Sequence, residues 1–373
     1  MKSTKHSWMT RLWGKRDKPI TGKRSRMRRV GRYSLIVILV VVVVGGIWIG
    51  GILNPEHRFN KAILNPLTIP SSNVVMDNEE MVQPLSTPAP QAQTDELIPS
   101  TPTQTPATAS TSPADKKSSS FNVVLIGTDT WGGESSRADT IMVAHVMPDQ
   151  RKVNIVSVPR DTRVFVQNVG YTKINHAHIV GETKGGNQQG TLTLIQAVSD
   201  FMNIPIHYYI KTNFSGVRDF IDSIGGIDMQ IDQDVTITPE ITIKKGEQHL
   251  DGAHTLYLAR ERYSTPEGDF SRQREQFNIV RAVAKKLLSP EHIPDLAGLL
   301  LREKKDIIDT SFSDSDLMSL AWLFKGMDSS DFAYEQIPGH NSSALDPLVR
   351  TKVYYWSANS EEVKSLTERL FTE

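Results

Sequence analysis

The segment Ser157-Val158-Pro159-Arg160-Asp161-Thr162 carries the strongest chemical signal in this sequence. A mostly apolar run, Val153 to Val158, stops at a proline and then presents an Arg–Asp pair. That order places charge at a sheet edge or in a cleft. Arginine suits phosphate because its planar guanidinium donates two parallel hydrogen bonds. The segment has companions. Upstream stand Gly127-Thr128-Asp129 and Arg137-Ala138-Asp139-Thr140; downstream stand Arg260-Glu261-Arg262 and Asp269-Phe270-Ser271-Arg272. Together these are the ingredients of a metal-assisted pyrophosphate site.

Each ingredient also has a plainer reading. Asp129 and Asp139 sit next to predicted strand ends, where two carboxylates can share a hard cation. Mg2+ takes one or two carboxylates together with phosphate oxygens. The same residues also fit ordinary turn chemistry. Arg137, Arg160, Arg260, Arg262 and Arg272 can form a phosphate clamp, or can be surface arginines paired with Asp161, Glu261 and Asp269. Arg260 and Arg262 face one side only in an extended segment, because helical positions two apart diverge. The pair therefore works best where a helix over 251–259 ends. Asp161 is a candidate base, or else orients Arg160. His176-Ala177-His178 could ligate a metal from a strand, but no third ligand is spaced for zinc, so both read as core or surface histidines. His207, beside Tyr208 and Tyr209, reads as packing. Neither a Gly-x-Ser-x-Gly elbow nor a phosphate-loop motif is present.

The elements that must position these groups begin at Phe121. Runs at 121–127, 140–146 and 152–158 read as buried strands, the second and third joined as a hairpin through Pro148-Asp149-Gln150. Helical spacing appears at 190–202, 213–224 and 271–288, with Gly225-Gly226 closing the second helix. Gly185-Gly186 reads as a plain turn. Further strands are expected at 208–210, 227–231, 332–337 and 353–356. Strands and helices interleave, which predicts an α/β fold: three layers, α-β-α, around a mixed central sheet.

The rest of the chain differs in kind. Residues 1–33 hold twelve Lys/Arg and one acid, Asp17, a net of +11 within a chain of formal charge zero. The remaining 340 residues therefore carry −11, which argues against a nucleic-acid partner. Residues 34–53 are uncharged and rich in Val, Ile, Leu and Gly. Twenty residues at about 1.5 Å each match the roughly 30 Å hydrocarbon core of a bilayer. With no cleavage signal before Asn54-Pro55, this run reads as an uncleaved signal anchor. The basic tail places 1–33 in the cytoplasm and everything after residue 53 outside. Residues 54–120 hold ten of the twenty prolines and read as a disordered linker. The chain has no cysteine, so disulfides and thiol chemistry are excluded.

Taken in order, these segments resemble the LytR-CpsA-Psr family of bacterial cell-envelope proteins. The resemblance rests on Arg137-Ala138-Asp139-Thr140, Pro159-Arg160-Asp161-Thr162, Lys173-Ile174-Asn175-His176-Ala177 and Phe220 to Gly226. It continues through Gly246-x-x-x-Leu250-Asp251-Gly252, Arg260-x-Arg262 and Asp269-Phe270-x-Arg272. It covers a core of 121–288 within a catalytic domain expected over 121–373. The resemblance implies a phosphotransferase that moves a glycopolymer from a polyprenyl pyrophosphate lipid to a peptidoglycan hydroxyl, forming a phosphodiester. It implies Mg2+ or Mn2+ on Asp129 and Asp139. It implies a pyrophosphate held by Arg137, Arg160, Arg260, Arg262 and Arg272, and a prenyl tail in an apolar channel between sheet and helices. Two departures stand out. Where the family has a second arginine three residues beyond Arg272, this chain has Glu275. Arg274 is the available substitute, turned about 100° away on a helix. The ten-residue spacing of Asp129 and Asp139 is also slightly short for the family.

The expected protein is therefore an Mg-dependent enzyme of the bacterial cell membrane, single-pass, with its catalytic domain outside. Its partners are the lipid-linked glycopolymer, peptidoglycan and the bilayer. The alternatives are a pyrophosphatase using water as acceptor, a membrane-bound regulator, and a non-catalytic lipid-binding scaffold. The regulator would need its DNA-binding part within 1–33, which is too short for a helix-turn-helix.

Overall fold

The computed structural model describes residues 64–71, 120–129, 136–239, 241–261, 268–287, 307–325 and 327–372, with Phe59, Ser289 and Gly298 as isolated positions. The expected anchor at 34–53, the basic tail and most of the linker lie outside the described residues. Among those described, no helix is long and apolar enough to cross a membrane.

The chain opens with β1 (Phe121–Thr128), β2 (Ala138–Met147), β3 (Lys152–Ser157) and the short hairpin β4 (Arg163–Val166) and β5 (Gly170–Lys173). Helix α1 (His176–Met202), β6 (Tyr208–Asn213) and α2 (Phe214–Ser223) follow. A small β region, β7 (Ile227–Ile231), β8 (Val235–Thr236), β9 (Thr242–Ile243) and β10 (Gly246–Leu250), leads into α3 (Gly252–Arg260) and α4 (Asp269–Leu287). The chain ends through β11 (Asp309–Thr310), α5 (Asp314–Phe324), β12 (Phe332–Gln336), the hairpin β13 (Gly339–Leu345) and β14 (Lys352–Ala358), and α6 (Ser360–Phe371).

Six strands form the central sheet in the order β11-β6-β1-β2-β3-β12. It is mixed: β1 pairs parallel with β6 and β3 with β12, while β1–β2 and β2–β3 are antiparallel. Alternate residues serve opposite faces. Val124, Ile126, Ile141, Val143 and Val156 pack with Leu194, Ile195 and Val198 of α1 and with Val363 and Leu366 of α6. Phe121, Val123, Met142, Ala144 and Ile155 pack with Phe277 of α4 and Leu317 and Leu320 of α5. Two apolar cores on one sheet give the three expected layers. A third core joins α2, α3 and α4 to the small β region through Ile221, Ile227, Met229, Leu258 and Ile279. Gly252 permits this packing, because a Cβ there would meet Arg218 O at 2.1 Å.

Two expectations need correction. His176 and His178 lie on α1, not on a strand. Gly185-Gly186 forms the expected turn: neither glycine is helical, and the pair joins two helical pieces at a kink within α1, with Gly186 at φ 75°, which favours glycine. Residues 64–71, assigned to the linker, pack on the domain instead. Leu67 N donates to Ile206 O at 2.7 Å and Ser71 N to Asp200 Oδ1 at 2.7 Å. Phe59 stacks on Phe121 at 4.6 Å between ring centres. Leu67 and Ile69 stay exposed, so hydrogen bonds supply this hold, together with Phe59 buried in the core and Leu64 packed against it.

Two histidines bracket Asn122 on the sheet. Asn122 N donates to His207 Nδ1 at 3.1 Å, and His145 Nδ1 donates to Asn122 Oδ1 at 2.7 Å. Burial, aided at His145 by the neighbouring His207, lowers each ring to about 4. Both rings are thus neutral in the folded state near pH 6, whereas the unfolded chain takes up protons below about 6.5. Stability is therefore expected to fall by a few kcal/mol as pH drops from about 6.5 toward 4. Urea unfolding across that range checks this. His207→Asn, whose side-chain oxygen can accept from Asn122 N, should flatten the slope.

Candidate active site

Sheet topology brings the charged motifs together. The end of β1 lies beside the start of β2, with Gly127 opposite Thr140. Asp129 follows β1, and Asp139 is the second residue of β2. The connection closes on itself: Asp129 N donates to Arg137 O at 3.1 Å, and Arg137 N donates to Asp129 Oδ1 at 2.9 Å. The end of β3 lies beside the same part of β2, where Val158 N donates to Ile141 O at 2.9 Å. Pro159 then ends the strand. Thr162 N and Oγ1 both donate to Pro159 O, at 2.9 and 2.6 Å, which turns Arg160 and Asp161 toward β2. The carboxyl ends of β1, β3, β6 and β12 thus share one edge of the sheet, where open α/β sheets place their ligands.

Arg160 is the hub. Its Nη1 donates to Asp139 Oδ1 at 2.7 Å. Its Nε lies 3.7 Å from Asp161 Oδ2 and 3.9 Å from Asp269 Oδ1. Burial works against the charge of Arg160, but Asp139, Asp161 and Asp269 outweigh it and raise its pKa. Lys173 Nζ donates to Asp161 Oδ1 at 2.6 Å. A cavity of about 340 Å³ is lined by Asp129, Arg137, Asp139, Arg160, Asp161, Lys173, Asn175 and His176. Its three cations, Arg137, Arg160 and Lys173, face three carboxylates, Asp129, Asp139 and Asp161.

A second cavity, of about 560 Å³, shares Asp129 and Asp139 with the first. Its wall is part apolar, from Phe214, Val217, Ile237, Leu256 and Ala259, and carries Arg260 and Arg272. Arg260 ends α3 and stacks over Phe214, 4.7 Å from the ring centre. Arg272 is buried in the first turns of α4 and pairs with Asp269. Gln276, one turn further on, lines the same wall. The predicted residues Asp129, Asp139, Arg137, Arg160, Asp161, Arg260 and Arg272 therefore border two joined cavities. Arg274 is the exception: it is exposed on α4 and lines neither. Arg274 is two residues beyond Arg272, about 200° round the helix, which accounts for this. Glu275 lines neither cavity either, and burial raises its pKa. Arg262 lies outside the described residues.

Sequence reasoning missed three lining residues, Lys173, Asn175 and His176, although all belong to one quoted motif. They enter the site because Asn175 N donates to Arg160 O at 3.2 Å and Ile174 N to Thr162 O at 2.8 Å. His176 is held from behind. Its Nδ1 is 2.8 Å from Thr172 Oγ1, which donates to Asp346 Oδ2 at 2.8 Å. Asp346 is fully buried. Burial alone would raise its pKa, but bonds from Tyr355, Val349 N, Thr172 and Leu348 N lower it. His178 serves structure: its Nδ1 donates to Ser136 O at 3.0 Å, while Glu182 Oε2 accepts Ser136 N at 2.9 Å. These bonds fix the chain leading into Arg137.

The donors suit Mg2+ or Mn2+. Asp129 Oδ1 and Asp139 Oδ1 are taken by Arg137 N and Arg160, leaving the second oxygen of each carboxylate for a cation. No group of three or more His, Cys, Asp or Glu that could hold a metal occurs among the described residues. Mg2+ keeps waters and takes phosphate oxygens, so two carboxylates suffice.

A mixed-sheet α/β protein with a charged cleft joined to an apolar one is the class that fold and site define. The model of the LytR_cpsA_psr family matches residues 86–372, and the chain belongs to that family. A relative from Bacillus cereus, named polyisoprenyl-teichoic acid–peptidoglycan teichoic acid transferase TagU, is 30% identical over 257 residues, covering 68% of this chain and 79% of its own. The transferase TagV of Bacillus subtilis is 29% identical over 271 residues, 69% of this chain and 66% of its own. The crystal structure of B. subtilis TagV superposes with a TM-score of 0.57 at 26% identity, covering 68% of this chain and 98% of that one.

Two carboxylates leave most of a cation's coordination to solvent or phosphate. Mn2+ is therefore expected to bind weakly alone and more tightly with inorganic pyrophosphate, and pyrophosphate reciprocally more tightly with Mn2+. Calorimetric titration checks this. Asp139→Asn should abolish the coupling.

Proposed function

We propose that this protein transfers a glycopolymer from a polyprenyl diphosphate carrier to a sugar hydroxyl of peptidoglycan, with a phosphodiester as product. One observation carries the assignment: the charged cavity and the part-apolar cavity meet at Asp129 and Asp139. A substrate with a diphosphate between a prenyl chain and a sugar has the same division of chemistry. The names of the Bacillus relatives support it.

In this assignment the diphosphate sits between Arg160, Arg137 and Lys173 on one side and Arg260 and Arg272 on the other. The prenyl chain follows Phe214, Val217, Ile237 and Leu256. Mg2+ or Mn2+ held by Asp129 and Asp139 would neutralise charge on the diphosphate oxygens. Arg160 is already fixed by Asp139, so it offers its donors with little reorganisation, and such preorganised donors lower the barrier to charge development. Asp161 lies between Lys173 and Arg160 and is assigned an orienting role. Arg274 takes no part. The basic tail and uncharged run at 34–53 support a single-pass location in the bacterial cell membrane with the folded part outside.

The test incubates the full chain with lipid-linked polymer, peptidoglycan and Mg2+, and follows covalent attachment. Arg160→Ala should lower transfer about 10²–10³-fold, the cost of one such donor, while circular dichroism stays native. Arg274→Ala should change the rate less than about threefold, as for a surface substitution. Normal turnover by Arg160→Ala would overturn the assignment. Release of the polymer without attachment would replace it with a hydrolase.

A further inference from the structure

Attack by a sugar hydroxyl requires a group that accepts its proton, which the cationic side chains of the site cannot do. We infer that His176 Nε2 is the general base for the acceptor hydroxyl, held in the required tautomer by Thr172 and Asp346. The inference rests on the transferase reading of this same site.

Counting protons fixes the tautomer. An ionised carboxylate only accepts hydrogen bonds, and a threonine hydroxyl has a single proton to donate. Asp346 Oδ2 lies 2.8 Å from Thr172 Oγ1 and 2.7 Å from the Tyr355 hydroxyl. The proton of Thr172 is thus committed to Asp346. Thr172 Oγ1 must then accept at its 2.8 Å contact with His176 Nδ1. Nδ1 carries the ring proton, and Nε2 is left with its lone pair. Nε2 has no hydrogen-bond partner among the described residues, and the ring lines the charged cavity beside Arg160 and Lys173. Burial disfavours the protonated ring and Asp346 favours it; Arg137 and Lys173 disfavour it and Asp161 favours it. The net shift is downward, so the resting imidazole is neutral.

The Asp346–Thr172–His176 chain resembles the orienting carboxylate of a nucleophile–histidine pair, with a hydroxyl interposed. As Nε2 takes up a proton, Asp346 stabilises the imidazolium through Thr172. The acceptor oxygen forms a bond to the phosphorus that bears the glycopolymer. The bond from that phosphorus to the bridging oxygen breaks, and polyprenyl phosphate leaves with the electron pair. Nε2 then releases its proton to the leaving phosphate or to solvent. His178 cannot substitute, since its Nδ1 is bonded to Ser136 and its Nε2 lies 3.5 Å from Lys211 Nζ.

The test uses the full chain and two readouts. In ¹⁵N spectra of histidine-labelled protein, the signals lost in His176→Gln should report a protonated Nδ1 and a bare Nε2. In the transfer assay, His176→Gln should lower kcat about 10²–10⁴-fold, the range of general-base catalysis. Thr172→Val should lower kcat with donor KM little changed, and Thr172→Ser should restore it. An Nε2–H tautomer, or wild-type kcat in His176→Gln, overturns the base while leaving the transferase reading intact. Absence of transfer by the wild-type chain overturns both.

Discussion

One guanidinium holds the candidate site together. Arg160 draws in Asp139 from β2, Asp161 from the turn after β3, and Asp269 from the start of α4. Asp161 is its neighbour in sequence, but Asp139 and Asp269 are distant and reach it only when the central sheet and the α4 layer are both in place. The pairing satisfies charges that partial burial would otherwise penalise. It also sets the aim of the arginine before any anion arrives. A neutral variant here would cost more than one contact, since three acidic groups would lose their common partner.

The topology explains why the charges gather at this edge and not another. β1 and β6 run parallel, as do β3 and β12, so four strands finish on the same side. β2, running the opposite way, begins there. The β7–β10 region with α2 and α3 adds a separate apolar wall next to that edge. A polar pocket and an apolar one therefore adjoin without either interrupting a core, and the two acids at their junction belong to both.

Much of this was legible in the sequence. Asp139 and Arg160 were readable because each sits at the limit of a short apolar run, and such limits mark strand ends. Arg272 was readable from its position near the start of a periodic helix, whereas Arg274, expected as a substitute for the missing arginine, points out of the site. Other features depend on distance in the chain. Nothing near His176 announces Asp346, whose bond to Thr172 spans 174 positions. The first half of α1 was hidden because its glycines dilute the apolar stripe. The 64–71 strap was hidden because its few apolar residues sit in a proline-rich background.

That strap also decides where force enters the molecule. Leu67 and Thr68 grip Ile206, just ahead of β6, whereas the charged cleft lies past the other end of that strand. Tension arriving from the N-terminal side is thus delivered to the remote margin of the sheet. A load carried by the strap therefore reaches the sheet at the end opposite the cleft that Arg160 organises.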